Sequence, residues 1–171
     1  MAAKTYLFLP DKQMMKQGYL MKDENGTVVY EGKMVKQALF GPMQFQFINH
    51  LSGKTEDHKV GHTLTTESST NGFTDLMSVK SRFKLDGRNV WDHLHEAGVR
   101  IDSNLSRGKI GMTYDVTLKG QPLATLVSTT PGGKSLITSA HCYNVTAEEK
   151  DLDMAFLVTF AIARTEQAFY S

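Results

Sequence analysis

Hydrophobic and polar residues alternate along most of the chain, as they do in strands that bury only one face. Residues 43–47 are the clearest case, because three large apolar side chains share one face and two glutamines the other. An Asn-Gly pair at residues 25–26 separates two such segments and favours a tight hairpin turn, because both residues tolerate a positive φ. Similar turn signals recur farther along. The pattern therefore predicts a mostly β protein built from antiparallel hairpins.

Two segments depart from this alternation and have the apolar spacing of helices. In the first, Asn89 can cap the amino end, apolar residues follow at helical spacing, and Gly98 can end the helix. This pattern predicts a short surface helix that is apolar on one side only. The second segment follows Thr146, where residues 146–149 match a capping box, and we place this helix at about residues 148–168.

The second helix has no polar face. In residues 154–163 only Thr159 is polar, so every side of the helix requires burial. The run is too short for a transmembrane span, which takes about 20 apolar residues. In a chain otherwise made of strands, such a helix must be surrounded by the sheet. This reasoning predicts a closed antiparallel β-barrel that encloses a hydrophobic C-terminal α-helix.

The same features resemble the LURP-one-related proteins of the tubby C-terminal-like superfamily, to which phospholipid scramblases are also related. The residues that carry the resemblance are 19–26 with 28–31, 114–116 with 120–124, and 151–163. The resemblance implies a mostly β (α+β) fold with about twelve strands around the central helix, in a single domain over residues 1–171. Tubby domains bind phosphoinositide head groups, so the resemblance also implies lipid binding at a membrane surface.

Composition and charge narrow the expected partners. The chain has 171 residues, 40% of them hydrophobic, and 19 Lys and Arg against 18 Asp and Glu give a formal net charge of +1. This balance argues against nucleic-acid binding, which depends on neutralising phosphates. The single Cys142 cannot form a disulfide within the chain, and the first residues lack the apolar core of a signal peptide. We therefore expect a cytoplasmic protein, either free or peripheral to a membrane.

Lys80, Arg82 and Lys84 are the candidate binding residues. Alternate residues of a strand project from one face, so three cations about 6–7 Å apart could hold an anionic lipid head group. The alternative is a solvated sheet face whose charges prevent aggregation through the sheet edge. Lys33 and Lys36 lie on another hairpin and would join the three only if the order of the strands brings them near.

No pattern in the sequence indicates catalysis, a metal site or a cofactor. His50, Asp57, His58 and His62 come nearest to a metal-binding set, but zinc sites usually need three or four ligands at recognisable spacing. We interpret them as surface or hydrogen-bonded side chains. The predicted function is therefore a non-catalytic domain that binds phosphoinositide or another anionic lipid head group. The alternative is a protein-interaction or scaffold module, without a lipid ligand, that uses the polar loop at residues 65–75.

Overall fold

The computed structural model describes residues 2–11, 18–36, 42–62, 83–105, 112–129 and 142–170. Within these ranges, eleven strands pair into one antiparallel sheet that accompanies two α-helices. The strands are β1 (Lys4–Asp11), β2 (Gly18–Lys22), β3 (Val28–Lys36), β4 (Met43–Asn49), β5 (Thr55–His62), β6 (Phe83–Leu85), β7 (Arg88–Asn89), β8 (Val99–Leu105), β9 (Met112–Leu118), β10 (Gln121–Ser128) and β11 (Tyr143–Ala147). The helices are α1 (Val90–Glu96) and α2 (Leu152–Tyr170), and a 3₁₀ turn at Glu149–Asp151 precedes α2.

The strands follow the order β7-β6-β5-β4-β3-β2-β1-β11-β10-β9-β8. Strands β1 to β7 therefore form one meander, and β8 to β11 form the rest of the sheet. The two parts are joined where β1 pairs with β11. In the turn between β2 and β3, Asp23 Oδ1 accepts the backbone N–H groups of Asn25 and Thr27, both at 2.9 Å. Gly26 completes this turn with a φ of 78°. The hairpin predicted from the Asn-Gly pair is confirmed.

Helix α2 lies on the inner face of the sheet and forms the centre of the core. Phe156 is fully buried, and its ring centroid lies 5.5 Å from that of Phe8 on β1, 4.3 Å from Tyr30 on β3 and 5.2 Å from Phe47 on β4. The same helix also packs against β6, β10 and β11, so the sheet must bend around it. The predicted mostly β class with a buried C-terminal helix is confirmed. Among the helices described, none has the length and apolar character to cross a bilayer.

The prediction of a closed barrel of about twelve strands is wrong for the described residues, where eleven strands form an open sheet with β7 and β8 as its unjoined edges. Helix α1 follows β7 directly and packs against β6, β7 and β8, so it occupies the seam between the edges. Its Val90 and Leu94 are 0% and 1% exposed and belong to the core. This one helix of 7 residues therefore contacts strands at both edges of the sheet. Apolar side chains rather than strand pairing cover the core along this seam.

The two predicted helix caps have different outcomes. Asn89 Oδ1 accepts the N–H of Trp91 at 2.9 Å, so the cap of α1 is confirmed. Thr146 does not cap a helix, because it belongs to β11 and pairs with Thr5 on β1, with their hydroxyl oxygens 3.0 Å apart. The helical segment begins at Glu149 instead. The predicted capping box is therefore wrong, because sheet pairing takes the residues that the local pattern assigned to the helix.

Candidate functional site

The predicted binding residues lie only partly within the structure. Lys80 and Arg82 fall outside the described residues, as does the loop at residues 65–75. Lys84 lies on β6 with its side chain exposed, whereas the adjacent Leu85 is 7% exposed and packs in the core. The alternation predicted for this strand is confirmed for that pair. Whether Lys80 and Arg82 share the face of Lys84 stays a prediction.

The order of the strands places three other lysines on the outer face of the sheet with Lys84. Lys36, Gln44 and Lys59 stand opposite one another on β3, β4 and β5, and strands lie about 4.8 Å apart, so the two lysines are about 10 Å apart. Lys84 on β6 is diagonal to Lys59, a spacing of about 7–8 Å. Lys33 projects from the same face of β3, and all four side chains are exposed. We call Lys33, Lys36, Lys59 and Lys84 the basic face.

A depression of about 500 Å³ lies beside the basic face. Lys59 is the one described lysine in its lining, where it is accompanied by the carboxylates of Asp57 and Asp86. Val35 also lines the depression and is 43% exposed. The charges of the basic face are therefore spread over the surface of the sheet and do not converge within this depression.

A second cleft, of about 410 Å³, lies at the amino end of α2. We call it the amino-end cleft. Its apolar floor is formed by Phe47, Leu85, Met154 and Leu157. Met154 and Leu157 are half-buried, so the expectation that α2 is enclosed on every side is wrong for this part of the helix. The side of α2 that carries Met154 and Leu157 was predicted to lie in the core, but it forms part of a concave surface.

Ionisable side chains surround this floor. They are Lys54, Glu56, His58, Asp86, Arg88, His93 and Asp153. Two of the cations have carboxylate partners: Lys54 Nζ lies 2.9 Å from Glu56 Oε1, and Arg88 pairs with Glu96 of α1. These side chains come from two strands, β5 and β7, from both helices and from the turns beside the strands. The amino-end cleft therefore combines an apolar floor with a rim that carries both signs of charge.

His58 is held between two carboxylates of this rim. Its Nδ1 lies 2.8 Å from Asp86 Oδ2, and its Nε2 lies 3.3 Å from Glu56 Oε2. Asp86 is fixed in turn, because its other oxygen accepts the N–H of Lys59 at 2.8 Å. The imidazole also packs on Phe47, with ring centroids 4.7 Å apart. The interpretation of His58 as a hydrogen-bonded histidine is confirmed, and the described part of the chain contains no cluster suited to a metal ion.

Tyr30 and Asp153 form the polar end of the cleft. Asp153 Oδ1 accepts a hydrogen bond from Asn49 Nδ2 at 3.2 Å, and the same carboxylate is hydrogen-bonded to the Tyr30 hydroxyl. Burial holds the pKa of Tyr30 well above its usual range, and the negative charges of Asp153 and Glu56 raise it further. These two hydrogen bonds join β3 and β4 to the first turn of α2.

We expect Tyr30 to remain protonated in the folded protein at a pH where an exposed tyrosine ionises. Because its folded pKa exceeds the ordinary value of 10.0, its contribution to stability is complete below that value and is lost as the pH rises towards the folded pKa. Asp153→Asn removes the adjacent charge, so Tyr30 should then ionise at a lower pH. Phenolate absorbance measures this, with Tyr30→Phe subtracted to isolate the residue. A wild-type signal like that of an exposed tyrosine would contradict the prediction.

The amino-end cleft has the features of a site that binds a small ligand. Both ring nitrogens of His58 face carboxylates, which hold the imidazole at the rim. A concave apolar surface with a few oriented charged groups is typical of sites for small ligands. Comparisons of the chain with protein-family models, with curated proteins and with solved structures found no match.

Proposed function

We propose that this protein is a non-catalytic, tubby-like binding domain that attaches to anionic phospholipid surfaces through its basic face. The observation that carries the proposal is the strand order, which aligns four exposed lysines on one side of the sheet. A lysine close to an anionic membrane contributes about 1 kcal/mol of attraction. Four of them would give weak and reversible attachment at the membrane surface. The tubby-like part of the proposal is supported by the antiparallel sheet that bends around the buried helix α2.

The basic face favours binding that depends on charge density more than on one head group. Selective phosphoinositide recognition requires cations that converge on the same phosphate groups. The depression beside the basic face instead combines Lys59 with Asp57 and Asp86. These two carboxylates would repel a head group that carries several phosphates. Val35 is exposed near the lysines and supplies an apolar contact with the interfacial region of the bilayer. We therefore expect phosphatidylserine and phosphoinositide vesicles of equal charge to bind alike.

Co-sedimentation with vesicles tests the proposal. The variant Lys36→Ala/Lys84→Ala removes two charges of the basic face and, at about 1 kcal/mol each, should weaken binding about 25-fold. The matched control is Lys4→Ala/Lys150→Ala, which changes the net charge equally at two exposed positions outside the basic face. It should bind as the wild type does.

The wild-type protein should sediment with anionic vesicles, not with phosphatidylcholine alone, and added salt should release it because screening weakens the attraction. Two outcomes would overturn the proposal. Equal binding to neutral and anionic vesicles would show that charge does not drive attachment, and equal losses in both double variants would show that the basic face is not the contact. An absence of binding to all vesicles would favour the protein-interaction alternative.

A further inference from the structure

We infer that the amino-end cleft is a binding site for a small amphipathic amine, separate from the basic face. The cleft measures about 410 Å³, and sites for small organic ligands usually occupy about 300–1,000 Å³. Its floor would hold the apolar body of the ligand against Phe47, Leu85, Met154 and Leu157. The ammonium group would lie at the rim, where charged side chains surround that floor.

The charges of the rim favour a cationic ligand. With the histidines counted as neutral, the lining contains three carboxylates, those of Glu56, Asp86 and Asp153. The opposing cations are Lys54 and Arg88, and the charge of Arg88 is compensated by Glu96, which lies outside the lining. Carboxylates therefore outnumber the ammonium group of Lys54 within the cleft. An anionic ligand of the same shape would meet this excess of negative charge.

Lys54 indicates where the ammonium group of a ligand would bind. Its Nζ lies 2.9 Å from Glu56 Oε1, and the hydrogen bond and charge of Glu56, followed by the charge of Asp153, raise the pKa of this lysine. The rim thus already accommodates one primary ammonium group. The Lys54 side chain is nevertheless 55% exposed, and exposed ion pairs of this kind contribute little to stability. A ligand amine can displace it, contact the same carboxylates and also bury its apolar body on the floor.

Two aromatic residues, Tyr30 and Phe47, add to the apolar inner wall of the cleft. Each is 3% exposed, because the Tyr30 ring stacks on Phe156 and the Phe47 ring packs against His58. The rings therefore favour the apolar body of the ligand, while the carboxylates of the rim favour its positive charge.

Calorimetric titration of the full chain with hexylamine tests the inference, with hexanoate as a probe of opposite charge whose alkyl chain is one carbon shorter. Hexylamine should bind and hexanoate should not. Glu56→Gln removes one carboxylate and should weaken hexylamine binding about tenfold. Lys54→Met removes the competing ammonium group and should strengthen binding roughly two- to fivefold. These opposite changes distinguish binding at this rim from a general loss of structure.

The variant Lys36→Ala/Lys84→Ala serves as the control, because both residues belong to the basic face and lie outside the lining of the amino-end cleft. It should bind hexylamine as the wild type does, even though its binding to anionic vesicles is weakened. The inference and the proposed membrane attachment can therefore fail separately. The inference is overturned if the wild type binds no hexylamine, if hexanoate binds equally well, or if Lys54→Met weakens hexylamine binding.

Discussion

Phe156→Ala should lower the free energy of unfolding by about 4 kcal/mol, within the usual range for a buried phenylalanine. Phe156 is 0% exposed, and its ring lies against Tyr30, Phe47 and Phe8 from three different strands. Truncation removes apolar burial and leaves a cavity between the helix and the sheet. Urea unfolding followed by circular dichroism measures the loss. Phe156→Leu keeps most of the volume and should lose less, which provides a measurable variant if the alanine protein does not fold.

Gly32 tests the same contact from the side of the sheet. A Cβ atom at this position would lie 3.1 Å from Cε1 and Cζ of Phe156 and 3.2 Å from Cε1 of Phe47, closer than ordinary carbon contacts. Gly32→Ala should therefore destabilise the protein by about 1–3 kcal/mol through overpacking. Gly61→Ala is the matched control, because the nearest atom to its added methyl is Lys84 Cβ at 3.9 Å. It should change stability little.

A double-mutant cycle then separates this contact from general destabilisation. In the Phe156→Leu protein, the methyl group of Gly32→Ala has space that the aromatic ring occupied. The loss caused by Gly32→Ala should be clearly smaller in that background than in the wild type. Losses that simply add would show that the two positions do not interact, because independent sites are additive within about 0.3–0.5 kcal/mol. That result would contradict the packing of β3 against α2.

Local patterns predicted the elements of this fold better than the way they join. The Asn-Gly turn and the apolar residues 154–163 depend on short-range chemistry, and both predictions are confirmed in type. Closure of the sheet depends on whether β7 and β8 reach each other, and no pattern within either strand encodes that distance. Burial of α2 requires only an apolar cover along the seam. Val90 and Leu94 provide one, so the need for burial did not imply a closed barrel.

The candidate sites depend even more on long-range order. The outward direction of Lys84 follows from alternation, but its grouping with Lys36 and Lys59 required the order of β3 to β6. His58 and Asp86 are 28 residues apart and meet because β5 pairs with β6. One local signal was available, since Asp86 and the following glycine form the type of pair that favours a hairpin turn. This signal predicts the turn but not the strand with which β6 pairs, so the amino-end cleft was missed.

Asp153→Ala should cause the second largest loss, about 3 kcal/mol of the free energy of unfolding. The carboxylate accepts hydrogen bonds from Asn49 and Tyr30, which are 5% and 3% exposed. Removing a charged acceptor leaves buried donors without it, and each such loss costs about 1–3 kcal/mol. Urea unfolding at neutral pH measures the effect. Asp153→Asn keeps one oxygen acceptor and should lose about half as much.

The position of Asp153 in the first turn of α2 offers a competing explanation, because any acid there stabilises the helix dipole. Asp151→Ala measures that effect by itself, since Asp151 lies in the adjoining 3₁₀ turn, and it should cost about 0.3–1 kcal/mol. The dipole effect is screened by salt, whereas hydrogen bonds between buried groups are not. The loss in Asp153→Ala should therefore persist at high salt and should shrink when Tyr30→Phe has already removed one donor. Equal, salt-sensitive losses in the two alanine variants would mean that the dipole, and not the connection of β3 and β4 to α2, accounts for the role of Asp153.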